Sequence, residues 1–187
     1  MKGTIISDES ATRNPALDSP DEQFAQLLRE FHSGLARLTA AYESAPESRE
    51  DLLQDIFMAL WLALPKFRGQ SSLRTFVYRI AHNRALTHVW RRKRSAPMEP
   101  IDDDALMDTK PGPERAAIAA GDRDHLLRAI RELPLGLRQV ISLALEDLPN
   151  AEISAVLGIT ENNVAVRLTR ARAVLRNRMR RNENVRS

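Results

Sequence analysis

Four prolines, Pro97, Pro100, Pro111 and Pro113, interrupt a chain otherwise patterned for helices, and Asp102, Asp103, Asp104 and Asp108 lie among them. A proline inside a helix removes a hydrogen bond and clashes with the preceding turn, so no helix runs through this segment. Before it, Phe24, Leu27, Leu28, Phe31, Leu35 and Leu38 recur at three- and four-residue steps from Asp21 onward. A second helix is expected from Ser48, as N-cap, to Pro65, with Leu53, Ile56, Phe57, Leu60, Trp61 and Leu64 on one side. A loop at 67–72 leads to a third, carrying Leu73, Phe76, Val77 and Ile80 and running toward Trp90, whose ring suits stacking on a base but whose spacing from Leu86 favours packing. Beyond the prolines, Leu126, Leu127, Ile130 and Leu133, then Leu137, Val140, Ile141, Ala144 and Leu145, restore the helical spacing. The chain therefore reads as all-α, with two small helical domains at 21–94 and 122–182. A flexible acidic linker at 95–121 joins them, a polar segment at 1–20 is expected to be a disordered tail, and 183–187 is a short C-terminal tail.

Charge divides the molecule more sharply than its formal net charge of +3 suggests. Residues 66–94 hold nine Lys or Arg and no acid, and residues 162–182 hold seven Arg and no acid. Basic stretches on helices suit phosphate backbones, whose condensed counterions they displace. Nucleic acid is thus the expected partner, at two places.

Several function classes are set aside. With no cysteine, neither a disulfide framework nor a cysteine zinc site can form. His32, His82, His88 and His125 show no metal-binding spacing, and the carboxylates cluster in the linker instead of pairing on a helix. No catalytic residue, metal or cofactor is expected. The longest apolar run, residues 56–64, is far short of the roughly 20 residues that span a bilayer, so no membrane insertion is expected, and the N-terminus lacks a signal-peptide pattern. A cytoplasmic location fits.

Residues 150–175 carry the most specific local signal. Asn150 is a candidate cap for a helix bearing Ile153, Val156 and Leu157, and Gly158 suits the left-handed conformation after its end. Ile159 plugs the turn, and Thr160 caps the next helix with Glu161 in its first turn. Helix, glycine-containing turn and second helix make a helix-turn-helix. In the second helix Val164, Leu168, Ala171 and Leu175 form one inward stripe. Thr160, Asn162, Asn163, Val166, Thr169 and Arg170 are left facing outward, with Arg167 on the flank. Asn pairs with adenine, Arg with guanine or phosphate, and Val or Thr touches a thymine methyl, which together make a surface for reading a major groove. The same residues would also suit an Arg-rich exposed helix of an ordinary bundle; capped turn, apolar stripe and acid-free outer face together favour DNA.

Two segments, 48–94 with SREDLLQDIFMALWLALPKF and SSLRTFVYRIAHNRALTHVWRRKR, and 126–179 with the helix-turn-helix, resemble regions 2 and 4 of RNA polymerase sigma factors of the sigma-70 family, extracytoplasmic-function group. The resemblance implies a transcription initiation factor whose partners are core RNA polymerase and promoter DNA. It implies that region 2 docks on a polymerase coiled coil through Asp51, Gln54, Asp55 and Met58, a stripe distinct from the apolar one. It points to the loop Gly69, Gln70, Ser71 and Ser72, with Arg74, Arg79, His82, Asn83, Arg91 and Arg92, for capture and holding of the opened −10 strand. By helical angle Thr75, Arg79 and His82 point away from the apolar face, while Asn83 suits either a DNA contact or a backbone bond. Region 4 would read the −35 element through the outward residues named above. The family also implies a linker that runs through the polymerase, capture by an anti-sigma protein, and association with the nucleoid when polymerase is bound. Two positions depart from the family pattern: Phe76 stands where Trp is frequent, and Ala165-Val166 stand where a Lys-Ser pair is common. The competing reading is a dimeric helix-turn-helix regulator with an N-terminal interaction domain, for which the acid-free basic stretch at 66–94 has no use.

Overall fold

The computed structural model describes residues 19–95 and 122–186, and every element among them is helical. The disordered tail expected at 1–18, the acidic linker expected at 96–121 with Asp102, Asp103, Asp104 and Asp108, and residue 187 lie outside the described residues.

Helix α1 (Pro20–Tyr42) opens with a reciprocal cap. The Ser19 hydroxyl accepts from the Glu22 amide at 3.2 Å, and the Glu22 carboxylate accepts from the Ser19 amide at 2.8 Å. Pro20 at the first helical position has no amide hydrogen to leave unpaired. Ser19 and Pro20 thus belong to the helix, not to the tail. Helix α2 (Pro46–Ala63) begins before the expected cap at Ser48. Pro46 supplies the preset backbone angle, and the Glu43 carboxylate takes the Ser44 and Ala45 amides, so no hydroxyl is needed at the cap. A single 3-10 turn (Leu64–Lys66) holds Pro65 and ends the helix.

Helix α3 (Leu73–Ser95) packs on α1 and α2 through Val77, Tyr78, Ala81 and Ala85, all buried. This line is rotated from the expected Leu73, Phe76 and Ile80, which are only half-buried, because small alanines and Tyr78 fill the closest approach. Phe76 instead packs against Phe67 of the loop, with ring centroids 4.7 Å apart. Opposing residues Leu27, Phe31, Leu35 and Leu38 of α1 and Leu52, Ile56 and Leu60 of α2 complete the core, each buried side chain contributing about 1.5–3 kcal/mol.

The second half contains α4 (Asp122–Arg131), α5 (Leu135–Ala144), α6 (Asn150–Leu157) and α7 (Glu161–Arg186). Ile130 and Leu133, Val140 and Leu143, Ile153, and Val164 through Leu175 meet in its core. Arg178 ties α7 to α4 by an ion pair with Glu132 at 3.0 Å and a bond to the Ala129 carbonyl at 3.3 Å. Leu145, expected inside, is exposed because α5 stops at Ala144 and the chain turns outward there. Helix α7 also continues past 182, to Arg186.

The two halves do not stand apart. Helix α1 touches α4 and α5, α3 lies along α6, and the buried apolar side chains of both halves form one continuous cluster.

Glu43 caps α1 and ties it to α3. Its carboxylate meets His88 at 3.0 Å and Arg92 at 3.1 Å, besides the two amides. Burial alone would raise its pKa; the His88 bond, the Ala45 amide, Arg92 and the Ser44 amide outweigh it and bring the carboxyl from 4.5 to about 2. A depressed carboxyl stabilises the fold above its unfolded pKa and loses that contribution as pH falls through the folded value. In urea denaturation at pH 7, Glu43→Gln is expected to be less stable than the parent by roughly 1–3 kcal/mol. That gap is expected to shrink between pH 4.5 and about 2.

Candidate nucleic-acid interface

The helix-turn-helix rests on a turn that one residue type fits well. Gly158 sits at φ 68°, ψ 30°, and the amides of Gly158 and Ile159 both reach the Ser154 carbonyl, at 2.9 and 3.3 Å. A side chain in this left-handed conformation costs energy that glycine avoids. Thr160 caps α7 as expected, its hydroxyl accepting from the Asn163 amide at 3.3 Å. Asn150 does not cap α6: it is the first helical residue, and Pro149 with extended backbone stands at the cap.

Val164, Leu168, Ala171 and Leu175 are all buried, so the inward stripe lies where the periodicity put it. The opposite face holds Asn162, Asn163, Thr169 and Arg170 exposed, and Val166 is 41% exposed. Arg167 lies between, its Nε donating to Asn163 Oδ1 at 3.2 Å. Such an i, i+4 bond holds two long polar groups side by side and pre-orients both.

On α2, Asp51, Gln54, Asp55 and Met58 are all exposed and share one stripe. Met58 is 62% exposed, and one further turn along, Leu62 is 61% exposed. Sequence reasoning missed Leu62, because within an apolar run the one leucine facing water cannot be told from its buried neighbours. Acids beside uncovered apolar side chains form a surface that suits a basic partner with apolar contacts.

The loop before α3 exposes Gly69, at φ 69°, with Gln70 and Ser72, while Ser71 is half-covered. Ser72 bonds the Thr75 amide at 3.0 Å and Glu152 of α6 at 3.0 Å. Thr75 and His82, expected to face away from the core, are buried. The reason is a second packing partner: α5 and α6 cover that side of α3. His82 Nδ1 lies 3.4 Å from the Tyr42 hydroxyl and Nε2 lies 3.3 Å from the Gln139 amide group. Burial pushes the His82 imidazole down to about 4, so it is neutral at pH 7. Arg79 donates to the Ala155 carbonyl at 3.1 Å, and Arg74 donates to the Glu146 carbonyl. Asn83, Arg91 and Arg92 remain exposed, Arg92 paired with Glu43. Trp90 is 46% exposed, so its ring is not core packing.

Comparison with known proteins brings the two halves under one description. Residues 27–95 match the model for Sigma-70 region 2, and residues 123–175 match that for Sigma-70, region 4. The chain is 28% identical over 174 residues to the RNA polymerase sigma factor NccH of Alcaligenes xylosoxydans xylosoxydans, covering 90% of this chain and 92% of that protein. It is also 28% identical over 165 residues to the ECF RNA polymerase sigma-E factor of Escherichia coli (strain K12), covering 83% and 86%. The chain belongs to the sigma-70 family of RNA polymerase sigma factors, in its extracytoplasmic-function group.

Solved structures share the fold. CnrH, in complex with the cytosolic domain of CnrY, is similar at a TM-score of 0.62 and 25% identity, over 84% of this chain and 87% of that one. The sigma factor RpoE of Bartonella quintana, in complex with the anti-sigma factor NepR, gives a TM-score of 0.67 at 21% identity, over 84% and 97%. This sigma factor is therefore a transcription initiation factor. A dimeric regulator would account for region 4 alone and leave region 2 unexplained. Among the described residues no helix is long and apolar enough to cross a membrane, and no cluster of His, Asp and Glu could hold a metal.

Because Gly158 carries the turn, Gly158→Ala is expected to cost about 1–2 kcal/mol in urea denaturation. Gly158→Asn should cost less, since Asn visits the left-handed region more readily.

Proposed function

We propose that this sigma factor binds core RNA polymerase through the α2 stripe, directs it to promoters through α7, and helps open the −10 element with the loop and outer face of α3. The observation that carries the reading is the separation of three surfaces of different chemistry on one chain. An acidic stripe with Met58 on α2, a basic acid-free loop and helix at 66–94, and an Asn, Val and Arg face on α7 are each suited to a different contact. Asp51, Gln54, Asp55 and Met58 would meet a basic polymerase surface, and Leu62 extends the contact.

At the −10 element, Gly69, Gln70, Ser71 and Ser72 would receive an unstacked base, while Arg74, Arg79, Asn83, Arg91 and Arg92 would hold the separated strand, His82 being buried. Half-exposed Trp90 is available to stack on a base. At the −35 element, Thr160, Asn162, Asn163, Val166, Arg167, Thr169 and Arg170 would enter the major groove, Val166 offering a methyl contact. The chain then performs no chemistry itself: it positions duplex and strand for an enzyme it joins, in the cytoplasm and on the nucleoid. The complex of its structural relative RpoE with the anti-sigma factor NepR supports an anti-sigma protein as a further partner.

Run-off transcription with purified core polymerase and a set of promoter fragments tests the reading. Initiation that depends on the added chain is expected; tight dimeric binding to duplex DNA without initiation would overturn it. Replacing both Asp51 and Asp55 with Ala is expected to weaken polymerase binding about tenfold or more, with −35 binding unchanged. Arg170→Ala should weaken −35 binding and reduce the slope of log K against log salt by about 1. An unchanged slope would take Arg170 out of the phosphate-contacting set.

A further inference from the structure

Arg167 stands apart from the other polar residues of α7. Asn162, Asn163, Thr169 and Arg170 are exposed, whereas Arg167 is half-buried on the flank, against α5. A Cβ added at Gly136, in the first turn of α5, would lie 3.4 Å from Arg167 Nη1 and 3.8 Å from Cζ. The guanidinium therefore rests on bare backbone, in space that a side chain at that position would narrow. The first turn of a helix does not attract a cation, because its free amides carry partial positive charge. What holds the group is its hydrogen bond, in which Nε donates to Asn163 Oδ1 at 3.2 Å.

The chemistry of the donor gives that bond a direction. A guanidinium has five N–H donors and no acceptor, so it meets an amide side chain only at the oxygen. Asn163, on an exposed face, would otherwise present its amide either way round, with Oδ1 or Nδ2 foremost. With Arg167 beside it, Oδ1 is tied to the flank and the Nδ2 hydrogens are left for another acceptor. The backbone beneath is fixed as well, since the Asn163 amide donates to the Thr160 hydroxyl at 3.3 Å. Thr160, Asn163, Arg167 and Gly136 thus form one run of contacts from the cap of α7 to the backbone of α5.

We propose that Arg167 acts at the −35 duplex through Asn163, as a positioning residue that fixes which end of the Asn163 amide meets the bases. The inference rests on the −35 reading made under the proposed function and narrows the part given to Arg167 there, from a group in the groove to the support behind Asn163. A side chain held in one orientation before DNA arrives loses less freedom on binding than one that turns either way. It also accepts fewer base edges, because a donor and an acceptor can no longer exchange places. Specificity at one base pair is then set by a residue that does not touch it.

The test uses the full chain assembled with core polymerase and a pool of promoter fragments randomised across the −35 element, with preferences read by sequencing the bound fraction. Asn163→Ala is expected to flatten the preference at one base pair, which marks the pair that Asn163 reads. Arg167→Ala and Arg167→Gln are expected to flatten the same pair by about threefold or more, and to add nothing once Asn163 is replaced by Ala. Gln donates or accepts and so lets the amide turn, and its helix propensity close to that of Arg keeps the comparison in a folded chain. Arg167→Lys, still a donor only, should keep most of the preference. On a single promoter fragment, the slope of log K against log salt should fall in Arg167→Ala by much less than the value of about 1 that marks a lost phosphate contact. Flattening of a different base pair in the Arg167 variants, a slope reduced by about 1, or a preference that survives both Ala and Gln would overturn the inference. So would an Asn163→Ala variant without effect while Val166→Ala or Arg170→Ala alters the pool. The −35 reading fails separately, if none of these three substitutions changes any preference across the element.

Discussion

A single carboxylate removed from water, that of Glu146, sets how the two halves of this molecule meet. Burying an ion is costly unless its partners are near and well aimed. Two bonds from Arg37 and one from Tyr78 meet that demand from two different helices of region 2. Burial, followed by the negative charge beside it, pushes the Tyr78 hydroxyl well above its ordinary range, so it stays a donor at any physiological pH. The Glu146 bond likewise raises Arg37. Around this contact other bonds between the halves fall into place, among them Arg131 to the Ala40 carbonyl at 2.9 Å and Gln139 to His82 at 3.3 Å.

The surfaces divide by how much they depend on that junction. The outward face of α7 depends on nothing beyond its own region: Gly158 sets the turn, Thr160 caps the helix, and the buried stripe from Val164 to Leu175 fixes which side looks out. The α2 stripe is equally local, being the side of an amphipathic helix turned away from α1 and α3. The side of α3 is different. It is covered by region 4, because polar groups suited to a nucleic-acid strand also suit the Gln139 amide, the Glu146 and Ala155 carbonyls and the Glu152 carboxylate.

Much of the fold was legible because it obeys short-range rules. Prolines at 97, 100, 111 and 113 separated the halves, periodic leucines placed the helices, and Gly158 with Thr160 marked the turn. The caps were less legible. Ser48 and Asn150 are good capping residues by type, but Pro46 and Pro149, together with the reach of Glu43 to two amides, set those helix starts. Helical angle placed Thr75 and His82 on an outer side, but the fold buries both, because helical angle takes no account of a second packing layer.

The sequence by itself determined the all-helical class, the two-part organisation, the orientation of α7 and the location of the basic stretches. All of these follow from residue type and spacing within a few turns of chain. Tertiary structure alone decided that Glu146 is buried, that Gly34 is the gap it needs, and that Ser72, Arg74, Arg79 and His82 are spoken for by region 4. Arg37 and Glu146 are 109 residues apart in the chain, and no local periodicity can specify a bond at that separation. Such pairs exist only once both cores have formed and can be brought together, which is why the same basic residues read from sequence as free for DNA and are found in the fold bonded to the protein itself.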